Sequence, residues 1–230
     1  NVVFIFFDKH FMSIVLERFN KIQADISEHT VNLKDSTKII AVSKTFSIDH
    51  VKPLINHGHI HFGENKVQEA EKKWTNIKNE KKNLKLHMLG KLQTNKVKKA
   101  VSIFDYIHSV DNKKLADILK KSEFEIGKNL SYFIQVNFAD EKQKSGLSVS
   151  DTLSFYSYCK NEIHLNIIGI MCFPPFGLDP TKFFKQAFEL NNKLGLSELS
   201  MGMSNDYLKA IKLGSTFVRI GSAIFGERKV

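Results

Sequence analysis

Two short stretches near the C-terminus, LSMGMSND (199–206) and VRIGSAIFG (218–226), place hydroxyl residues and glycines directly after apolar, β-rich runs. Such residues present backbone N–H groups and hydroxyls, the donors that an anionic phosphate needs. Ser204, Gly221 and Ser222 are therefore candidate phosphate ligands. Taken alone, Ser204 also reads as the N-cap of a following helix and Gly221 as a packing glycine. Arg219 lies two residues before Gly221, so in a strand both face the same side. A guanidinium in a protein interior needs a partner, which a ligand ring nitrogen or a buried carboxylate would provide. Far upstream, KIIAVSKT (38–45) delivers Lys44 at the end of another apolar run. Desolvation there favours the neutral amine, the form that attacks an aldehyde. As one of 31 lysines, Lys44 by itself reads more readily as a snorkelling strand-end side chain than as a nucleophile. HFGEN (61–65) adds Gly63 for close backbone approach, Glu64 to hold a cation, and Asn65 to cap a helix or touch a ligand ring. HMLGKLQTNK (87–96) supplies a turn at Gly90 and a basic helix start. Lys91, Lys96, Lys98 and Lys99 there attract an anion or form a solvated face.

Positioning these groups falls to a regular alternation of patterns. Ile14, Leu16, Phe19, Ile22 and Ile26 recur at near-helical spacing, which predicts an opening helix over 13–30. Eight short runs suit buried parallel strands: 38–43, 59–63, 85–89, 106–110, 131–137, 166–173, 198–201 and 217–220. Helical patterns fill 47–57, 65–79, 93–102, 112–122, 148–162, 180–194 and 204–213. Ser47, Asp111 and Asp179 mark helix starts, and Gly58 and Gly214 mark stops. Eight strands with intervening helices in one undivided chain predict a single-domain (β/α)8 TIM barrel, with an N-terminal helix preceding strand one. A doubly wound open sheet would need a glycine fingerprint near the first strand, and none is present. In a barrel, the chemistry-bearing residues gather at the C-terminal ends of the strands.

Composition narrows the functional classes. The formal net charge of +10 invites a nucleic-acid reading, yet only Arg18, Arg219 and Arg228 are arginines. The lysines spread over solvated helix faces, so no nucleic-acid partner is expected. Two cysteines, Cys159 and Cys172, with neither CxxC spacing nor a partnering His cluster, argue for a reducing compartment and against a metal site. Residues 1–11 (NVVFIFFDKHF) lack the basic start and cleavage site of a signal peptide and are too short to span a membrane. They read as an extension upstream of Met12, leaving 12–230 as the barrel. A cytoplasmic protein without membrane association is expected.

Seven ordered segments carry a family resemblance: AVSKT (41–45), FGENKVQE (62–69), HMLGKLQTNK (87–96), KSG (144–146), GIM (169–171), LSMGMSND (199–206) and VRIGSAIFG (218–226). Together they resemble the pyridoxal phosphate homeostasis protein family, single-domain relatives of the alanine racemase N-terminal barrel. The resemblance implies pyridoxal 5'-phosphate (PLP) held as a Schiff base on Lys44, with Ser204, Gly221 and Ser222 on its phosphate and Met203 in the same loop. It further implies Arg219 against the pyridine nitrogen and Asn65 beside the ring. FPPFGLDP (173–180) is more compact than the usual loop after strand six, and the N-terminal extension has no family counterpart. A cation facing the ring nitrogen discourages its protonation and weakens the ring as an electron sink. The second-base tyrosine and β-domain of alanine racemase have no place before the chain stops at Val230. The expected role is storage, buffering or delivery of the cofactor, with apo PLP enzymes as recipients, by a monomer with no firm catalytic residue. Two alternatives are a slow amino-acid racemase with Lys44 as base, and a barrel for another phosphorylated ligand with Lys44 as a simple cation.

Overall fold

In the computed structural model, the backbone is described for residues 2–30, 37–139 and 145–227, and side chains for 14–29, 37–139 and 145–227. Eight strands form: β1 (Lys38–Val42), β2 (His61–Glu64), β3 (Lys85–Met88), β4 (Tyr106–Val110), β5 (Ser131–Val136), β6 (Ile167–Cys172), β7 (Glu198–Met203) and β8 (Phe217–Ile220). Each pairs in parallel with its sequence neighbours, and β8 returns to β1, closing the barrel. The expected strands sit where the apolar runs placed them, with ends moved by one or two residues and β7 extended to Met203.

Helices cover the outside: α1 (Val2–Thr30), α2 (Ile48–Asn56), α3 (Val67–Glu80), α4 (Val97–Ile103), α5 (Lys113–Ile126), α6 (Val149–Ser157), α7 (Thr181–Lys193), α8 (Tyr207–Lys212) and α9 (Ser222–Phe225). The opening helix differs from the expected 13–30. It starts at Val2 and takes in most of the 1–11 stretch, because no Gly or Pro interrupts the chain before Pro53. Helix α5 is capped by Asn112, whose side chain accepts from Leu115 N–H, rather than by Asp111. The helices before Gly58 and Gly214 stop as expected, both glycines being left-handed. Lys144 of the KSG segment lies outside the described residues; Leu147, just beyond it, pairs with Val136 at the end of β5.

Two apolar layers result from the alternation of side chains along each strand. One lies between strands and helices and holds Phe19, Trp74, Phe104 and Phe184. The other fills the barrel and contains Ile40, Val42, Phe133, Met171 and Phe217. Gly169 lets β6 and β7 close at this level, since a Cβ there would stand 1.9 Å from the Glu198 carbonyl oxygen. The lower mouth is plugged by Lys38, which pairs with Glu198 at 3.1 Å and lies over the Phe217 ring.

A line of polar side chains crosses this inner layer. His61 Nδ1 meets His87 Nε2 at 3.0 Å, His87 Nδ1 meets His108 Nε2 at 2.9 Å, and His108 Nδ1 meets Ser200 Oγ at 3.0 Å. His87 stacks on Tyr106 and His108 on Phe133, with ring centroids 4.2 and 4.1 Å apart. Burial pushes both imidazoles well below the usual histidine range. His61, through burial and then Lys38 and Lys85, falls to about 4, as does the half-buried His59.

Two outcomes are expected. Gly169→Ala should cost about 3 kcal/mol or more, measured by urea unfolding, because the backbone of β7 cannot yield to a Cβ. The depressed histidines bind protons more readily in the unfolded chain, so stability present above pH 6.5 is lost as pH falls toward 4. Each histidine contributes up to about 1.4 kcal/mol per pH unit in that window. Urea unfolding at pH 5 should therefore give a stability lower by about 3 kcal/mol or more than at pH 7.5.

Candidate functional site

At the C-terminal mouth of the barrel lies a cavity of about 720 Å³. Its size suits a small phosphorylated ligand. All seven residues singled out from sequence line it: Lys44, Asn65, Met203, Ser204, Arg219, Gly221 and Ser222. Val42, Phe46, Leu89 and Met171 add apolar wall, and the loop after β6 contributes Phe173 through Leu178.

Lys44 leaves β1 in a tight turn closed by Phe46 N–H donating to the Ser43 carbonyl. Thr45, next in the chain, has φ of 70°, a left-handed conformation that a β-branched residue adopts only under constraint. The constraint is visible: Glu69 of α3 accepts from the Thr45 N–H. Glu69 also pairs with Lys73 at 3.2 Å, and Lys73 pairs with Glu64 at 2.9 Å and donates to the Ser43 carbonyl at 2.8 Å. Glu64 thus holds a cation from its own next helix, not a ligand. The same Oε1 accepts from Ser43 Oγ and Trp74 Nε1. This buried cluster fixes the turn that carries Lys44.

Asn65 does not cap α3; the cap position falls to Lys66, with no side-chain hydrogen bond. Asn65 lines the cavity instead. None of Lys91, Lys96, Lys98 and Lys99 reaches it, and Lys98 and Lys99 pair with Glu125 and Glu71 on the helix surface.

Ser204 does not begin a helix, since α8 starts at Tyr207. A bulge explains the difference: Ser200 pairs with Phe217 but Met203 with Arg219, three steps on β7 against two on β8. Gly202 carries the bulge at φ 89°, where a Cβ would also strike Ala210. The Asp206 carboxylate then accepts from Met203 N–H, which closes the turn. Ser204 Oγ ends beside the N–H groups of Gly221 and Ala223, at long distances of 3.4 and 3.3 Å. Two backbone donors therefore converge on one hydroxyl through long bonds that an anion would replace, with Ser222 also lining the cavity there.

Arg219, 5% exposed, forms the floor. Nη1 donates to Ser200 Oγ at 2.8 Å and Nη2 to the Cys172 carbonyl at 2.9 Å. Its partners are thus neutral oxygens, and the carboxylate left open by the sequence is not the one chosen. Burial lowers its pKa to about 10, so it stays charged near neutrality. These two bonds engage one N–H group of each terminal nitrogen. A lysine amine, an anion cradle and a buried guanidinium hydrogen-bonded only to neutral oxygens, around an apolar-walled space, fit PLP. Sequence reasoning missed Ser200, Lys73, Glu69 and the histidine line; a polar residue inside an apolar run was the available signal for Ser200 and the histidines.

Lys73→Met should strand the Glu64 carboxylate in the core and cost about 3–5 kcal/mol in urea unfolding.

Comparison with known proteins bears on this site directly. Residues 18–229 match the model of the alanine racemase N-terminal domain family. A pyridoxal phosphate homeostasis protein of Aquifex aeolicus is 35% identical over 227 residues, covering 95% of this chain and 97% of that protein. Its namesake in Mus musculus is 38% identical over 210 residues, or 83% of this chain and 77% of that one. The structure of PipY from Synechococcus elongatus with PLP bound superposes with a TM-score of 0.82 at 33% identity, over 92% of this chain and all of that one. Barrel, mouth and matching relatives agree: the chain belongs to the pyridoxal phosphate homeostasis protein family, within the wider group defined by the alanine racemase N-terminal domain.

Proposed function

We propose that the chain binds PLP at the barrel mouth and serves its homeostasis by storing, buffering or delivering it. The observation that carries this reading is the pairing of Lys44 on one side of the cavity with the Ser204, Gly221 and Ser222 cradle on the other, above the charged floor of Arg219. Lys44 would hold the cofactor as a Schiff base through its side-chain amine. The hydroxyls of Ser204 and Ser222 and the N–H of Gly221 receive the phosphate, with Met203 in the same loop. Asn65 would lie beside the ring and Arg219 would face its nitrogen, both lining the cavity. When bound, PLP supplies an electron-withdrawing ring, and a cation at the nitrogen weakens that property.

The same residues support binding over turnover. No tyrosine lines the cavity among the described residues, so a second base opposite Lys44 has no candidate of that type. Asp206 is committed to the Met203 N–H. Delivery to apo PLP enzymes is supported by the exposed Phe176 and Leu178 at the rim, an apolar contact surface at the opening through which the cofactor leaves. We read the protein as a cytoplasmic monomer, consistent with two free, buried cysteines, and without a nucleic-acid partner, with Lys98, Lys99 and Lys209 each paired to a carboxylate on the surface. No helix among the described residues is long and apolar enough to cross a membrane. Among those residues, no group of three or more His, Cys, Asp or Glu side chains is placed to hold a metal ion. Residues 12–230 form the functional barrel in this reading, with 1–11 an extension.

Purified protein mixed with PLP should develop visible absorbance, and borohydride should fix the cofactor mass on the peptide containing Lys44. Lys44→Ala should abolish both; unchanged absorbance in that variant overturns the reading. Racemisation of amino acids should run no faster than with free PLP. A clear excess that depends on Lys44 favours the slow racemase instead.

A further inference from the structure

Arg219 is tied to the far end of the barrel by a hydrogen-bond line whose direction follows from donor chemistry. A guanidinium only donates, so Ser200 Oγ accepts from Nη1. The hydroxyl proton of Ser200 then has one acceptor in reach among the described residues, His108 Nδ1 at 3.0 Å. That nitrogen must be bare, which puts the proton of a neutral His108 on Nε2, aimed at His87 Nδ1. By the same step, His87 carries its proton on Nε2 and gives it to His61 Nδ1. His61 is half-buried near the lower mouth, with its own proton on Nε2. Reversing the line would make His108 donate to Ser200, leaving a fully buried hydroxyl proton without an acceptor.

Only neutral imidazoles can follow this rule, because a cation has no bare nitrogen to accept with. The geometry favours neutrality independently. His87 and His108 are fully enclosed and stacked on Tyr106 and Phe133, and the nearest fixed charge at the upper end is Arg219 itself.

We infer that His61, His87 and His108 form a one-way relay, and that His108 is a positioning residue that sets Arg219 through Ser200. By accepting a hydrogen bond from the Ser200 hydroxyl, His108 turns a serine lone pair toward the guanidinium without introducing a carboxylate. Arg219 is thereby oriented by neutral oxygens on two sides and keeps its charge for the cavity. A carboxylate in the place of Ser200 would orient it as well but would neutralise it. The consequence for ligand affinity rests on the reading of the cavity as a PLP site; the direction of the relay does not.

The first test uses protein without cofactor. Long-range proton–nitrogen NMR of the histidine-labelled chain at neutral pH should give Nδ1 bare and Nε2 protonated on all three rings. A protonated Nδ1 on His108, or a cationic ring in the line, overturns the relay. The second test compares His108→Asn with His108→Leu. Asn places an acceptor oxygen where Nδ1 stood and breaks only the bond to His87, whereas Leu removes the acceptor. PLP affinity should stay within about twofold for Asn and fall about tenfold for Leu, as expected for one hydrogen bond to a charged group. Equal losses, or none in either, overturn the positioning role. If the Leu variant does not fold, Ser200→Ala carries the same tenfold expectation. Should the wild-type chain bind no PLP at all, the cofactor reading fails, while the nitrogen spectrum still decides the relay.

Discussion

A buried guanidinium satisfied only by neutral oxygens is the constraint around which this barrel is organised. Removing Arg219 from water costs several kcal/mol unless its donors are engaged. A carboxylate would be the usual remedy, yet the barrel supplies the Ser200 hydroxyl and the Cys172 carbonyl. Such an arrangement leaves a net charge in a low-dielectric site, where its field is felt strongly by anything that enters. Ser200 can play its part only if its own proton is taken elsewhere, which draws in His108. His87 and His61 then follow in turn.

The mouth above Arg219 is built by departures from regular strand geometry. Thr45 is held left-handed by Glu69, and the bulge at Gly202 adds a residue to β7. The first aims the chain at Lys44 away from the strand direction; the second swings Ser204 across to the β8 loop. Strain and bulges of this kind persist where surrounding contacts overdetermine them. Here the determinant is the buried Glu64–Lys73 pair, which links the end of β1, the end of β2 and α3 behind the site. The chemistry in front and the ion pair behind are parts of one device.

How far this was legible in the sequence follows from range. Strand positions could be read because each buried run is apolar over its whole length, and the barrel followed from eight of them. Lys44, Arg219 and Gly221 were visible because they end or interrupt such runs. Ser204 was found as a ligand candidate but misread as a possible helix cap, since a period-two reading does not anticipate the extra residue at Gly202. Lys73 carried no signal at all: on a lysine-rich helix only its three-dimensional placement distinguishes it from Lys72. The histidines were each visible inside an apolar run, yet His61, His87 and His108 stand 26 and 21 residues apart, and only the register of β2, β3 and β4 brings them into line.

That register bears on how binding and catalysis part company in this family of barrels. A ring that is to stabilise a carbanion strongly benefits from a protonated nitrogen, and a nearby carboxylate is the simplest way to secure one. Every element of this floor works against that outcome. The cation is permanent near neutrality, its orienting partners are uncharged, and the imidazoles behind them sit too far below their usual range to donate a second proton. On the proposed reading, a site with these properties holds a phosphorylated aldehyde at both ends and leaves its ring a weak electron sink. In the proposed reading Lys44 is a reversible tether, and the phosphate cradle on the opposite wall of the cavity is the second hold on the cofactor.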